Sequence, residues 1–130
     1  MKYVYPAVFT EEKTGGYSVS FPDLKSCYTC GDNLQHALYM AQDVLCLSLY
    51  DMELAGKAIP APSELKNIVT ESDAFVSLVS CDTVEYRKFY DKKAIKKTLS
   101  IPAWLNTMAE QENINFSQTL QDALKKQLNV

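Results

Sequence analysis

No stretch of this sequence approaches the ~20 consecutive apolar residues that a membrane-spanning helix requires, so a transmembrane protein is not expected. The opening residues, Met1-Lys2-Tyr3-Val4-Tyr5-Pro6, lack the apolar segment and small-residue cleavage site of a secretory signal. A cytoplasmic location is the expectation. Four cysteines are present, Cys27, Cys30, Cys46 and Cys81, but Cys27-x-x-Cys30 has no second pair to complete a zinc site. It also falls in a stretch that reads as a strand, Ser26 to Cys30, where residues three apart point to opposite faces. No metal and no cofactor are implied, and the thiols are expected to stay free in a reducing compartment.

What is present is the composition of a globular protein: 47% hydrophobic and 22% charged residues, too apolar for a disordered chain. The 130 residues allow one ordinary domain or two small ones. The net charge of −3 hides an asymmetry. Residues 1–91 hold 7 Lys and Arg against 13 Asp and Glu, a net of −6, whereas residues 92–130 hold 6 Lys against 3 acids, a net of +3. Such a split suggests an acidic part facing something basic and a basic part facing something anionic.

The first half reads as a small sheet and a helix. Tyr3 to Thr10 is rich in aromatic and β-branched residues and leads into Glu11-Glu12-Lys13-Thr14-Gly15-Gly16, a polar hairpin connection. Tyr17 to Phe21 alternates as a half-buried strand should, Pro22-Asp23 marks a turn, and the chain returns as a third strand. Gly31-Asp32-Asn33 ends the sheet, with Asp32 or Asn33 available to cap a helix. From Leu34 to about Leu54 the period becomes helical, with Leu34, Leu38, Ala41, Leu45 and Met52 within about 40° of one line. His36, the only histidine, falls on the opposite side and is expected in solvent rather than in a catalytic or metal site. Gly56 and Ile59-Pro60-Ala61-Pro62 form a loop, and Ala74 to Ser80 reads as a fourth strand. Glu85 to Lys93 interleaves aromatic and basic residues; it is expected to be a connector or short extra element packed on the first part. The expected architecture is α+β, a βββαβ unit followed by a separate segment.

That last segment carries the sharpest pattern. In Lys96-Lys97-Thr98-Leu99-Ser100-Ile101-Pro102, Leu99 and Ile101 point one way while Lys96, Thr98 and Ser100 point the other. Pro102 suits the first position of a helix whose apolar face is Leu105, Met108 and Ala109. Asn115-Phe116-Ser117 starts a second helix with the stripe Phe116, Leu120, Ala123, Leu124 and Leu128. Fewer than forty residues cannot bury a sufficient core alone. The strand lacks a partner in its own segment and is complete only with a second copy.

Strand, proline, helix and capped second helix in this order resemble the ribbon-helix-helix family, over Lys96 to about Asn129. The resemblance implies that two chains pair their strands into a ribbon lying in the DNA major groove. Lys96, Thr98 and Ser100 would then touch bases, and the amides around Asn115, Phe116 and Ser117 would hold a phosphate. Many members carry a basic residue where this chain has Phe116, so that phosphate contact is expected from the backbone. The first part resembles the HicB family through Phe21-Pro22-Asp23-Leu24, Cys27, Gly31-Asp32-Asn33-Leu34 and the long Ala/Leu helix, roughly residues 3 to 56. The usual Pro-Gly after Asp-Leu is Lys25-Ser26 here, so the turn is expected to differ locally.

The HicB resemblance implies a reduced ribonuclease-H-like fold and raises the question of a nuclease. Such enzymes hold divalent metal with clustered carboxylates, one of them on the first strand. Tyr3 to Phe9 has none. Asp23 reads as a turn or partner contact, Asp32 as a cap and Asp43 as a solvated helix residue, so no catalytic residues are expected. The resemblances together imply three regions: a toxin-neutralising domain over 1–84, a linker over 85–94, and a DNA-binding and dimerisation domain over 95–130. They imply an antitoxin that occludes a small HicA-type, RNA-cleaving toxin, with Asp23 and Asp32 as toxin contacts, and that represses its operon by binding operator DNA. The ribbon implies a homodimer; self-association of the first domain would give tetramers. A stand-alone repressor whose first domain oligomerises or senses a ligand is the alternative.

Overall fold

The computed structural model describes all 130 residues. They form two compact units, residues 1–92 and 93–130. In the first, strands β1 (Lys2–Glu11), β2 (Tyr17–Ser20), β3 (Tyr28–Gly31) and β4 (Ala74–Asp82) make one antiparallel sheet in the order β3-β2-β1-β4. Helix α1 (Leu34–Leu54) covers one face, and the β4 connection returns through residues 55–73 with a single 3-10 turn at Leu65–Asn67. The sheet pairs Tyr3 with Cys81, Tyr5 with Val79 and Phe9 with both Val19 and Phe75. Most of these side chains form the core beneath α1 with Ala7, and Phe75 stacks on Phe9 at 5.3 Å between centroids.

Backbone direction explains how Pro6 is tolerated in a long strand. The Glu11 amide donates to Asp73 O and the Thr83 amide to Met1 O, so odd-numbered β1 residues bond toward β4. Even-numbered residues face the other side, where β2 pairs only with Val8 to Glu11. The missing N–H of Pro6 therefore falls on a stretch of edge with no ladder to break.

The sheet and α1 meet where two glycines allow it. A Cβ on Gly31 would lie 2.3 Å from the Ala37 amide nitrogen, and one on Gly16, whose φ is +82°, would lie 2.6 Å from Gly31 O. Asn33 caps α1 by accepting from the His36 amide at 2.9 Å. The helix buries Ala37, Ala41, Leu45 and Leu49, with Met52 half-buried. The expected stripe is thus corrected at its start: the buried line runs through Ala37, which makes the close approach to Gly31, and Leu34 and Leu38 beside it are exposed. The third strand also starts later than expected. Ser26 adopts a φ of +58°, and the Phe21 amide donates to Cys27 O, which makes residues 21–27 a turn.

The stretch Glu85 to Lys93, expected as a connector or short extra element packed on the first part, lies largely in a short helix, α2 (Thr83–Tyr90). Asp82 caps it by accepting from the Val84 amide at 3.0 Å, and Tyr86 packs on Tyr50 of α1. An N-cap and a packed aromatic give the segment its regular structure.

The second unit contains α3 (Ala103–Gln111) and α4 (Phe116–Leu128). Residues 91–102 have no strand in the single chain, including the stretch expected to be one, since a ladder requires a second strand to receive its hydrogen bonds. Pro102 is the N-cap of α3 rather than its first residue. Asn113, at φ +55°, ends α3, and Asn115 caps α4 by accepting from the Gln118 amide at 3.0 Å. Only Ala109 is buried in this unit, and Leu99, Ile101, Leu105, Met108, Phe116 and Leu124 are all exposed.

Candidate functional site

The residues expected to meet DNA lie in the second unit. Lys96, Thr98 and Ser100 are exposed, and neither Lys96 nor Lys97 has a carboxylate partner. At the start of α4, Asn115 takes the Gln118 amide with its side chain and the Thr119 amide with its carbonyl. The amides of Phe116 and Ser117 precede the first intrahelical bond and point out of the helix end, where its dipole favours an anion. The side chain of Phe116 is partly exposed and supplies no charge.

Asp23 and Asp32 have different environments. The Asp23 carboxylate accepts from the Ser63 amide at 2.9 Å and from the Ser63 hydroxyl. Together with the Tyr5 hydroxyl, which donates to Pro60 O, this pins the loop after α1 to the body of the sheet. Asp32 is exposed; its amide donates to Nδ1 of His36 at 3.0 Å and its carboxylate lies 3.6 Å from the same nitrogen. His36 is exposed, as its place on the helix wheel led us to expect. Asp23, Asp32 and Asp43 are not brought together as a ligand set.

The sequence gives no hint of a polar knot where α1, β1 and α2 converge. Glu53 Oε1 accepts from the Thr83 hydroxyl at 2.8 Å and the Tyr3 hydroxyl at 2.9 Å, and Oε2 accepts from Arg87 Nη2 at 2.9 Å. The Met1 ammonium donates to Thr83 Oγ1 at 3.0 Å. Burial pushes Glu53 up, but the hydrogen bonds from Thr83, Tyr3 and Arg87 outweigh it and hold the carboxyl below its ordinary value. Burial, and then the bond to Glu53, push the Tyr3 phenol up to about 12. These partners are 30 to 50 residues from Glu53 in the chain, so no spacing rule links them. The only local signal is a glutamate near the end of the helix.

The two cysteines of Cys27-x-x-Cys30 have different surroundings, Cys27 at the end of the turn and Cys30 within β3. Cys27 is buried, with the Ser48 hydroxyl 3.4 Å from its sulfur, whereas Cys30 is exposed. Interaction between the Cys46 thiol on α1 and the Cys81 thiol on β4 lowers Cys46 and, with burial, raises Cys81. An open groove of about 650 Å³ beside β1, lined in part by Tyr3, Val4, Lys57, Ile59 and Pro62, contains no carboxylate, histidine or cysteine. No helix is long and apolar enough to cross a membrane.

Known proteins share this architecture. The family model described as "HicB_like antitoxin of bacterial toxin-antitoxin system" matches residues 5–127. Antitoxin HicB 2 of Photorhabdus laumondii is 37% identical over 75 residues, which are 57% of this chain and 48% of that protein. The chain thus spans about half the length of that curated relative. Among solved structures, a toxin-antitoxin complex from Streptococcus pneumoniae contains a chain with 30% identity and a TM-score of 0.63. That similarity covers 98% of this chain and 99% of the other. The antitoxin HicB of Burkholderia pseudomallei, at 18% identity and a TM-score of 0.56, is alike in fold over 94% of this chain and 96% of its own.

Proposed function

The chain belongs to the HicB-like antitoxin family of bacterial toxin-antitoxin systems, and from that premise we propose that it neutralises a HicA-type toxin by occlusion and represses its own operon. The observation that carries this reading is the extent of the family match, residues 5–127, which runs through both units of this chain. The first unit performs no chemistry. It covers the RNA-cleaving face of a basic toxin, and its acidic surface, Asp32 included, supplies the electrostatic complement. Asp23 contributes by fixing the loop at Ser63, so that the surface keeps one shape.

The second unit pairs with its counterpart in another chain as a ribbon-helix-helix domain. Support comes from the row of exposed apolar residues that a unit with one buried residue leaves uncovered. Pairing the 96–101 strands brings Leu99 and Ile101 together and turns Lys96, Thr98 and Ser100 toward base edges. Free amides at Phe116 and Ser117, beside the Asn115 cap, receive a backbone phosphate. Two-fold symmetry of the ribbon requires a palindromic operator. The domain division in this reading is a toxin-binding unit ending near residue 92 and a DNA-binding unit beyond it.

The test is co-expression with the small basic protein encoded beside the gene. Full-length chain and residues 1–92 are both expected to relieve growth arrest, and only the full chain to shift operator DNA. Operator binding without any relief of toxicity would replace this reading with that of a stand-alone repressor.

A further inference from the structure

The seam between α1 and α2 carries an aromatic row that the toxin-antitoxin reading leaves unused. Tyr39, Asp43, Cys46 and Tyr50 follow one another at helical spacing of four, three and four, and so share a face of α1. Against that face lies α2, with Tyr50 and Tyr86 at 5.5 Å between ring centroids, Tyr86 and Tyr90 at 4.5 Å, and Phe89 and Tyr90 at 4.8 Å. Tyr90 follows Tyr86 one helical turn further from Tyr50, along the α1 face that carries Asp43 and Tyr39, and both of those residues act on Tyr90. Tyr39, Phe89 and Tyr90 are 63%, 65% and 58% exposed, unusual for aromatic side chains with so many neighbours. Asp43 has no cationic partner in the chain.

Elsewhere the same row already holds cations. The Arg87 guanidinium lies 5.0 Å from the Tyr50 centroid and the Lys92 ammonium 5.1 Å from that of Phe89. The end formed by Tyr39, Asp43, Tyr86 and Tyr90 has the same aromatic faces and an added carboxylate, but no cation. We infer that this end is the subsite on which a basic partner protein seats an arginine or lysine side chain. The ring faces attract the cation through their quadrupoles, and Asp43 completes its charge. The occupant is set by charge: the surrounding residues 1–91 carry a net of −6, which disfavours nucleic acid and acidic peptides. This inference rests on the antitoxin reading, which supplies the basic partner.

Isothermal titration of the purified full chain with the small basic protein encoded beside it, the latter as an inactive variant, tests the site. Asp43→Asn and the double substitution Tyr39→Ala with Tyr90→Ala are each expected to weaken binding by roughly tenfold or more. Tyr90→Phe keeps the ring and is expected to bind like the unsubstituted chain. Tyr28→Ala, on the exposed outer face of β3, is the control and should bind unchanged. Wild-type affinity in both Asp43→Asn and the double variant would overturn the inference and leave the antitoxin reading intact. Absence of binding by the unsubstituted chain would overturn both.

Discussion

Glu53, near the end of α1, and Arg87, in the last turn of α2, meet at 2.9 Å, and this contact holds α2 against the sheet-and-helix body. The two differ in setting: the Glu53 side chain is 17% exposed and that of Arg87 43%. Glu53 also receives two hydroxyl donors, whereas the Arg87 guanidinium packs on the Tyr50 ring at its other side. The pair is therefore asymmetric in what its loss would cost.

Glu53→Ala takes the carboxylate from the Tyr3 and Thr83 hydroxyls, leaving them only the longer contacts to Met1, and is expected to cost about 2 kcal/mol. Arg87→Ala removes a half-exposed, solvent-screened partner and is expected to cost less than about 1 kcal/mol. Urea unfolding midpoints of the two variants would measure the difference, and the reverse order would contradict the account of the knot.

The same knot sets two limbs of the pH dependence. A carboxyl held below its ordinary value contributes stability above the unfolded pKa and loses it as pH falls through the folded one. Acid destabilisation should therefore be shallower in Glu53→Gln. Tyr3, raised to about 12, contributes fully below its ordinary value and loses that contribution as pH rises from about 10 through 12. Tyr3→Phe should flatten that alkaline limb, as followed by circular dichroism across the range.

Gly31→Ala is expected to be the most damaging small substitution in the chain. Its Cβ would fall 2.3 Å from one Ala37 backbone atom and 2.4 Å from another, so α1 would have to lift from the sheet. A loss of about 3 kcal/mol or more is expected in thermal melts. Gly15→Ala, with open space around it but a φ of +91°, should cost only about 1 kcal/mol.

Lys96→Ala combined with Thr98→Ala should abolish operator binding while toxin neutralisation persists, because the two substitutions lie outside residues 1–92. Fluorescence anisotropy at several salt concentrations would show both the lost affinity and its ionic component. Simultaneous loss of toxin binding would break the proposed division of labour.

Sequence periodicity determined the local part of this protein. Alternation around Val19, the apolar run through Val79, the helical period from Leu34 to Leu54, the asparagine caps at Asn33 and Asn115, and the helix start at Pro102 are all written within a few residues of one another. So was the incompleteness of the second unit, since its apolar residues outnumber what forty residues can cover. Tertiary structure decided the rest. Leu34 and Leu38 sit on the apolar line of α1 yet stay exposed, because the small Ala37 beside them is the residue seated against the Gly31 backbone. Residues 83–90 became a helix because Tyr50 and Glu53 were waiting for Tyr86 and Arg87, and the seam with Tyr39 and Asp43 follows from that docking. Periodicity records which way a side chain faces on its own element; it holds no record of the residue thirty or fifty positions away that will meet it.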